Sequence, residues 1–295
     1  MENSGNANTG QRIAVITGAT SGIGKAAAFQ LCRVDMQLIL IGRNERKGRA
    51  VADKICRIHG KDRAVFIQAD ISNFAEVRLA AMQIKKQYPR IDVLVNNAGA
   101  RFNDFKTNAD GIELTFATNH LGHFLLTNLL LEPLKASPAG RIINVSSDVH
   151  REYSADFDHI FNEKAYDRKA AYGRSKLANL MFTYELARRL ADTKITANAL
   201  HPGGVATNLG KNNGMISWAK HYVYYLLKRQ LILPAKAAVT ITYLALSDEV
   251  HGVTGQYFYN KQNIRSSDVS HYEVAAKKLW DYSERLVKEK SPSVM

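Results

Sequence analysis

RIAVITGATSGIGKAAAFQL, Arg12–Leu31, opens as an apolar run and closes as a helical pattern, with TGATSGIGK (Thr17–Lys25) between the two. A turn tight enough to carry a strand into a helix needs residues without a Cβ, and Gly18, Gly22 and Gly24 supply them. The same glycines let a backbone approach a pyrophosphate closely. A helix beginning near Ile23, preceded by Ser21, then offers that phosphate free N–H groups and the positive end of its dipole. A glycine turn alone is a weak signal. Placed at the first strand-to-helix junction, it predicts a nucleotide-binding βα unit.

Working outward, short apolar runs alternate with longer helical patterns. Strands are expected at Arg12–Thr17, Gln37–Ile41, Ala64–Ala69, Val93–Val95, Arg141–Val145, Thr196–Leu200 and Gln256–Tyr259. Helices are expected at Ile23–Val34, Glu45–His59, Phe74–Gln87, Ile112–Leu134, Ala170–Leu190 and Ala235–Leu246. Strands that read as unbroken apolar runs are buried on both faces. The fold class is therefore α/β: a Rossmann-type, doubly wound parallel sheet in three α/β/α layers. No linker or repeat divides it. We expect a flexible N-terminus at 1–11, one catalytic domain at 12–262 and a C-terminal helical extension at 263–295.

Composition narrows the class. The 295 residues are 46% hydrophobic and 23% charged, values of an ordinary globular protein. No apolar run approaches a membrane span. MENSGNANTGQR lacks a basic–apolar–small signal pattern, so a cytoplasmic location is expected. Cys32 and Cys56 form neither metal spacing nor a disulfide framework and read as buried thiols. The net charge of +13 suits an anionic partner, whether a phosphorylated cofactor, a membrane surface or nucleic acid. The basic residues are scattered and no nucleic-acid motif is present, so a solvated basic surface is the better reading and no nucleic-acid partner is expected.

Two features carry chemistry. The second strand ends LILIGRNERK, with no acid at Ile41 or Gly42 to accept from a ribose 2′-hydroxyl, and with Arg43 next; that favours NADP over NAD. In AAYGRSKLANLMF, Tyr172 and Lys176 share one helix face. Lowering a phenol pKa from about 10 to about 7 takes roughly 4 kcal/mol. A positive charge about 4.5 Å away at an effective dielectric near 20 supplies roughly that.

These motifs, taken together, resemble those of the short-chain dehydrogenase/reductase superfamily over roughly residues 12–260. The likeness rests on the TGxxxGIG turn, Asp70–Ile71, NNAG at Asn96–Gly99, Asn119 in TNHLGHF, NVSS at Asn144–Ser147, YxxxK, and PGGVAT at Pro202–Thr207. NHLGHFLLTNLLL, the SKLANLMF helix and the 25-residue gap from Ser147 to Tyr172 are similar to retinol-dehydrogenase-like members.

The resemblance implies an NADP(H)-dependent interconversion of carbonyl and alcohol. Tyr172 would be the acid/base, and Lys176 would lower its pKa and hold the ribose. Ser147 would position the substrate oxygen, and Asn119 would complete a water relay. Gly18, Ser21, Gly22, Ile23, Gly24, Arg43, Asp70, Ile71, Asn97, Ala98 and Gly99, together with Pro202, Gly203, Val205 and Thr207, would line the cofactor. The substrate would be an apolar, retinoid-, steroid- or lipid-like aldehyde or ketone.

The segment at 206–233 is where the family places its lid. Its aromatic and basic half, 215–230, suits an anionic membrane surface. Relatives often form homodimers or homotetramers. An epimerase or dehydratase, and a non-catalytic NADP sensor, are the rival readings. His120, His123 and His201 lack metal spacing and read as structural; no metal is expected. Asp148 and His150 beside Ser147 lack the G-x-S-x-G elbow of a hydrolase.

Overall fold

A computed structural model describes residues 11–157, 163–205 and 232–289. Eight strands form one sheet: β1 (Arg12–Thr17), β2 (Met36–Gly42), β3 (Ala64–Gln68), β4 (Val93–Asn96), β5 (Arg141–Val145), β6 (Thr196–Leu200), β7 (Tyr257–Tyr259) and β8 (Gln262–Asn263). Their order is β3-β2-β1-β4-β5-β6-β7-β8. All seven expected strands form. β4 and β5 are buried along their whole length, as strands covered on both faces must be.

Helices cover both faces. One carries α1 (Gly22–Leu31) and α2 (Glu45–His59), with α8 (Pro234–Leu246) packed on α1. The other carries α3 (Phe74–Gln87), α4 (Leu114–Phe116), α5 (Gly122–Leu129), α6 (Leu131–Lys135), α7 (Arg168–Arg189) and α9 (Glu273–Glu289). The strand order reverses between β1 and β4, and ligands of open α/β sheets sit in the crevice beyond the strand ends at that point.

The structure departs from expectation, or goes beyond it, in three places. First, the final strand pair is antiparallel. Tyr259 pairs with Gln262, leaving Asn260 and Lys261 as a two-residue loop at φ 48° and 66°. That is hairpin geometry, but the sequence carries lysine where glycine usually signals it. Second, the helix expected over Ile112–Leu134 is broken. Glu113 caps its start, accepting from Thr115 and Phe116 N–H at 2.8 and 2.7 Å. A π-turn follows at Ala117–Leu121, and α5 stops at Leu129. Pro133 lacks an N–H, and its ring opposes the carbonyl four residues earlier, so the chain breaks there. Third, the C-terminal helix packs into the main core, a placement the sequence reading did not assign. Trp280 packs against Phe124 and Phe182 at centroid distances of 4.9 and 5.7 Å, within the main core.

Candidate active site

The glycine turn leaves β1 with Gly18 and Gly22 at φ 67° and 54°, a region that excludes most side chains. A Cβ on Gly18 would meet Ala98 Cα at 2.9 Å, and one on Gly24 would meet Asn97 Nδ2 at 2.4 Å. The turn and the NNAG loop after β4 therefore lie in contact. Thr17 joins them. Its Oγ1 accepts from the N–H groups of Asn97 and Ala98 at 2.9 and 3.0 Å, while Asn97 Nδ2 donates to Thr17 O at 2.8 Å. Ser21 starts α1 without a side-chain cap, and the first turn holds no acid. The N–H groups at Gly22, Ile23 and Gly24 thus point out of the helix toward the turn's mouth, as an anion requires.

His123 ties this turn to the next element. Its Nδ1 lies 3.1 Å from Asn119 O, which only accepts, so Nδ1 carries the proton. The Thr17 hydroxyl then donates to Nε2 at 2.9 Å. Burial pulls the imidazole pKa down to about 4, which keeps it neutral. Among the described residues no group of three His, Cys, Asp or Glu is placed to hold a metal.

At the far end of β2, Arg43 lies half-exposed with Nη1 3.6 Å from the Asp70 carboxylate. Asp70 also accepts from Ser72 N and Oγ at 2.9 and 2.8 Å. Ile71 is pressed against Gly122, where a Cβ would stand 1.9 Å from Ile71 O.

The catalytic candidates meet where β5 ends. Ser146 is buried and donates to Lys176 O at 2.7 Å, so it serves the packing of α7. Ser147 is half-buried and extended at φ −157°, and its Oγ accepts from Val149 N at 3.4 Å. α7 is capped by Asp167, which accepts from Lys169 N at 2.8 Å. One turn separates half-buried Tyr172 from buried Lys176. Lys176 Nζ donates to Val145 O at 3.0 Å and stands 5.7 Å from the Tyr172 ring centre. Burial pulls the ammonium down to about 8.

Gly99 lies beside them. A Cβ there would stand 3.5 Å from Asn119 Oδ1 and 3.7 Å from Lys176 Nζ, so glycine keeps this cleft open. Asn119, in the π-turn, spends its amide on Ala100 N and O at 2.8 and 3.0 Å and on Ser175 Oγ at 2.9 Å.

Pro202, Gly203 and Val205 follow β6. Gly203 is at φ 78°, Val205 bridges Ile232, and His201 stacks on Tyr259 at 4.2 Å. Thr207, most of the expected lid and the 215–230 stretch lie outside the described residues.

Asp148 pairs with Arg151 at 2.7 Å, and His150 Nδ1 donates to the carbonyl of Ser147, not to its hydroxyl, so no hydrolase triad forms. Residue-by-residue reading missed Thr17, His123 as a joint, and Gly173. A Cβ on Gly173 would lie 2.0 Å from the Tyr153 ring, which packs on α7 beside Tyr172. Thr17 opens the TGxxxGIG motif, but nothing there tells that its hydroxyl reaches the NNAG loop, and nothing in the one-dimensional pattern marks a mid-helix glycine.

The family model described as short chain dehydrogenase matches residues 12–215. The chain belongs to the short-chain dehydrogenases. Human retinol dehydrogenase 13 is 40% identical to it over 95% of this chain and 86% of that protein. Human retinol dehydrogenase 14 is 38% identical over 92% and 85%. Among solved structures, a Shigella flexneri short chain dehydrogenase complexed with NADP superposes with a TM-score of 0.66 at 26% identity, covering 85% of this chain and 97% of that one. This short-chain dehydrogenase is therefore an oxidoreductase of the retinol-dehydrogenase-like kind. No helix of its described residues is long and apolar enough to cross a membrane.

Proposed function

We propose that this chain reduces apolar aldehydes or ketones, and oxidises the matching alcohols, with NADP(H). The observation that carries the reading is the pair on α7: a buried ammonium 5.7 Å from the centre of the Tyr172 ring, beside Ser147 at the end of β5. A positive charge beside a phenol stabilises its ionised form.

The residues fit a dinucleotide: two left-handed glycines, an α1 N-terminus without a side-chain cap, and a cleft at Gly99 that any Cβ would narrow. When bound, the cofactor supplies the hydride; the protein supplies position and proton transfer. Gly18, Ser21, Gly22, Ile23 and Gly24 would cradle the pyrophosphate. Arg43 and Asp70 would flank the adenosine ribose, with Ile71, Asn97 and Ala98 behind. Lys176 would hold the nicotinamide ribose, and Gly99, Pro202, Gly203, Val205 and Thr207 would shape the nicotinamide end.

Ser147 would donate its hydroxyl proton to the substrate oxygen, leaving Tyr172 to deliver the proton that becomes the alcohol's. Asn119 Nδ2 spends both its hydrogens on Ala100 O and Ser175 Oγ and Oδ1 accepts from Ala100 N, so its part in a water relay to Lys176 would fall to the second lone pair of Oδ1.

Arg43, with no acid at the end of β2, supports NADP, as does the NADP bound to the Shigella relative. The names of the retinol dehydrogenases support an apolar substrate. The test is NADPH oxidation with retinal, steroid ketones and short aldehydes, each repeated with NADH. Turnover of none of them, or equal use of NADH, refutes the respective half of the proposal.

A further inference from the structure

The turn that follows Ser147 is held from outside the sheet by one histidine. His150 is fully buried. Its Nδ1 lies 2.7 Å from Ser147 O, an atom that only accepts, so Nδ1 bears the proton. Its Nε2 is then unprotonated and accepts the backbone N–H of Ser267 at 3.1 Å. The ring spans the 3₁₀ turn Asp148–Glu152 and the segment leading into the C-terminal helix, and it packs edge-on against Tyr257 at 5.4 Å.

The same two segments meet again nearby. Arg151 Nη2 donates to Arg265 O at 2.6 Å, and the Tyr184 hydroxyl meets Ser266 Oγ at 2.6 Å. The C-terminal segment is thereby tied to the turn behind Ser147 and to α7, the helix that carries Tyr172 and Lys176.

We propose that His150 is a positioning residue for Ser147: its Nδ1–H holds the Ser147 carbonyl, and so the backbone that aims the hydroxyl, while the Ser267 N–H on Nε2 fixes the ring's orientation. This rests on the reading that Ser147 holds the substrate oxygen. A serine that hydrogen-bonds a reacting oxygen must be held within a fraction of an ångström. Among the described residues only Val149 N, at 3.4 Å, meets its Oγ, so its aim depends on the main chain. A neutral imidazole suits the task because it offers one donor and one acceptor in fixed directions, and here each finds a main-chain partner.

The two bonds separate by mutation. His150→Phe keeps the ring volume and removes both side-chain bonds, leaving on Ser147 O the longer bond from the backbone N–H of residue 150 at 3.3 Å. His150→Asn keeps a donor at the position of Nδ1, within reach of Ser147 O, and loses the acceptor for Ser267. We expect His150→Phe to lower kcat about 10–100-fold with the dissociation constant for NADPH unchanged, the loss typical of a misplaced group. His150→Asn should recover most of kcat. Hydrogen exchange at the Ser267 amide should speed up at least tenfold in both variants.

In the unmodified protein, long-range ¹⁵N–¹H spectra of histidine-labelled chain should show His150 as the Nδ1–H tautomer. An Nε2–H tautomer, or a His150→Phe enzyme with wild-type kcat, overturns the proposal. Equal loss of kcat in the Phe and Asn variants also overturns it, because the Ser147 bond would then not be the one that matters. Absence of any turnover in the wild type would count against the proposed function, while the tautomer and the exchange at Ser267 still decide whether the strap exists.

Discussion

Replacing Lys176 with methionine should make the cofactor-free protein less dependent on pH, while abolishing its chemistry. Lys176 is 3% exposed, and burial brings its pKa from 10.5 to about 8. A fall of that size is a penalty of about 3 kcal/mol on the charged form in the folded state. The sign follows from proton counting. Between about pH 8 and 10.5 the unfolded chain still binds the proton that the folded chain has released, so wild-type stability rises with pH across that window. Below pH 8 both states carry the proton and the full penalty stands.

Methionine has the length without the charge. Relative to wild type, Lys176→Met should therefore gain stability as pH falls, with about 2 kcal/mol of the change lying between pH 7 and 9.5. The lost hydrogen bond to Val145 O is a constant offset that cancels in this comparison, because it does not vary with pH in the variant. Groups that do not sense the Lys176 charge are common to both proteins and cancel as well, and carrying Tyr172→Phe in both removes the neighbour that does. Urea unfolding of both proteins at pH 7, 8, 9 and 9.5 measures the quantity directly. A stability difference that stays constant to about 0.5 kcal/mol across that range refutes the desolvated lysine. Turnover and NADPH affinity should both fall in the variant, since one side chain is assigned both tasks.

Three further outcomes are expected. Tyr172→Phe keeps the ring and removes the proton donor, so kcat should drop by about 10²–10⁴ with NADPH binding retained, measured by steady-state kinetics and titration; wild-type-like turnover would rule out the tyrosine as acid. Arg43→Ala should weaken NADPH by about 1–3 kcal/mol, the range for a hydrogen bond to a charged group, and leave NADH unchanged by titration calorimetry; loss of both equally would mean that Arg43 does not read the 2′-phosphate. His120 is buried and held down to about 3, so the unfolded chain binds its proton first and stability falls as pH drops below about 6.5; His120→Phe, which preserves contact with Phe116 and Phe182, should flatten the acid limb of the unfolding curve by up to about 1.4 kcal/mol per pH unit, and an unchanged slope contradicts the assignment.

Much of this architecture was legible in one dimension because it depends on local rules. An apolar run followed by Gly18, Gly22 and Gly24 has few alternatives to a strand, a tight turn and a helix, since backbone sterics alone exclude other residues there. All seven expected strands form because double-sided burial leaves its mark on each run separately. Tyr172 and Lys176 share a helix face by helical geometry alone. Ser146, which the family pattern passes over, is buried and donates to Lys176 O.

What only the tertiary structure decided involves partners far apart in the chain. Thr17 became the joint between the glycine turn and the NNAG loop because β4 lies beside β1, bringing the Asn97 and Ala98 N–H groups to its hydroxyl. Both amide hydrogens of Asn119 proved engaged, by Ala100 and Ser175, and Lys176 proved buried, because the elements that carry them pack over the same strand ends. His150 met Ser267 across 117 positions of sequence. The β7–β8 hairpin escaped the sequence reading because its left-handed loop is Asn260–Lys261, and a lysine at φ 66° is held there by the pairing of its neighbours and not by its own preference. Local sterics write themselves into residue types, whereas a hydrogen bond between distant segments needs only a donor and an acceptor, which almost any sequence provides; which pair meets is set by packing.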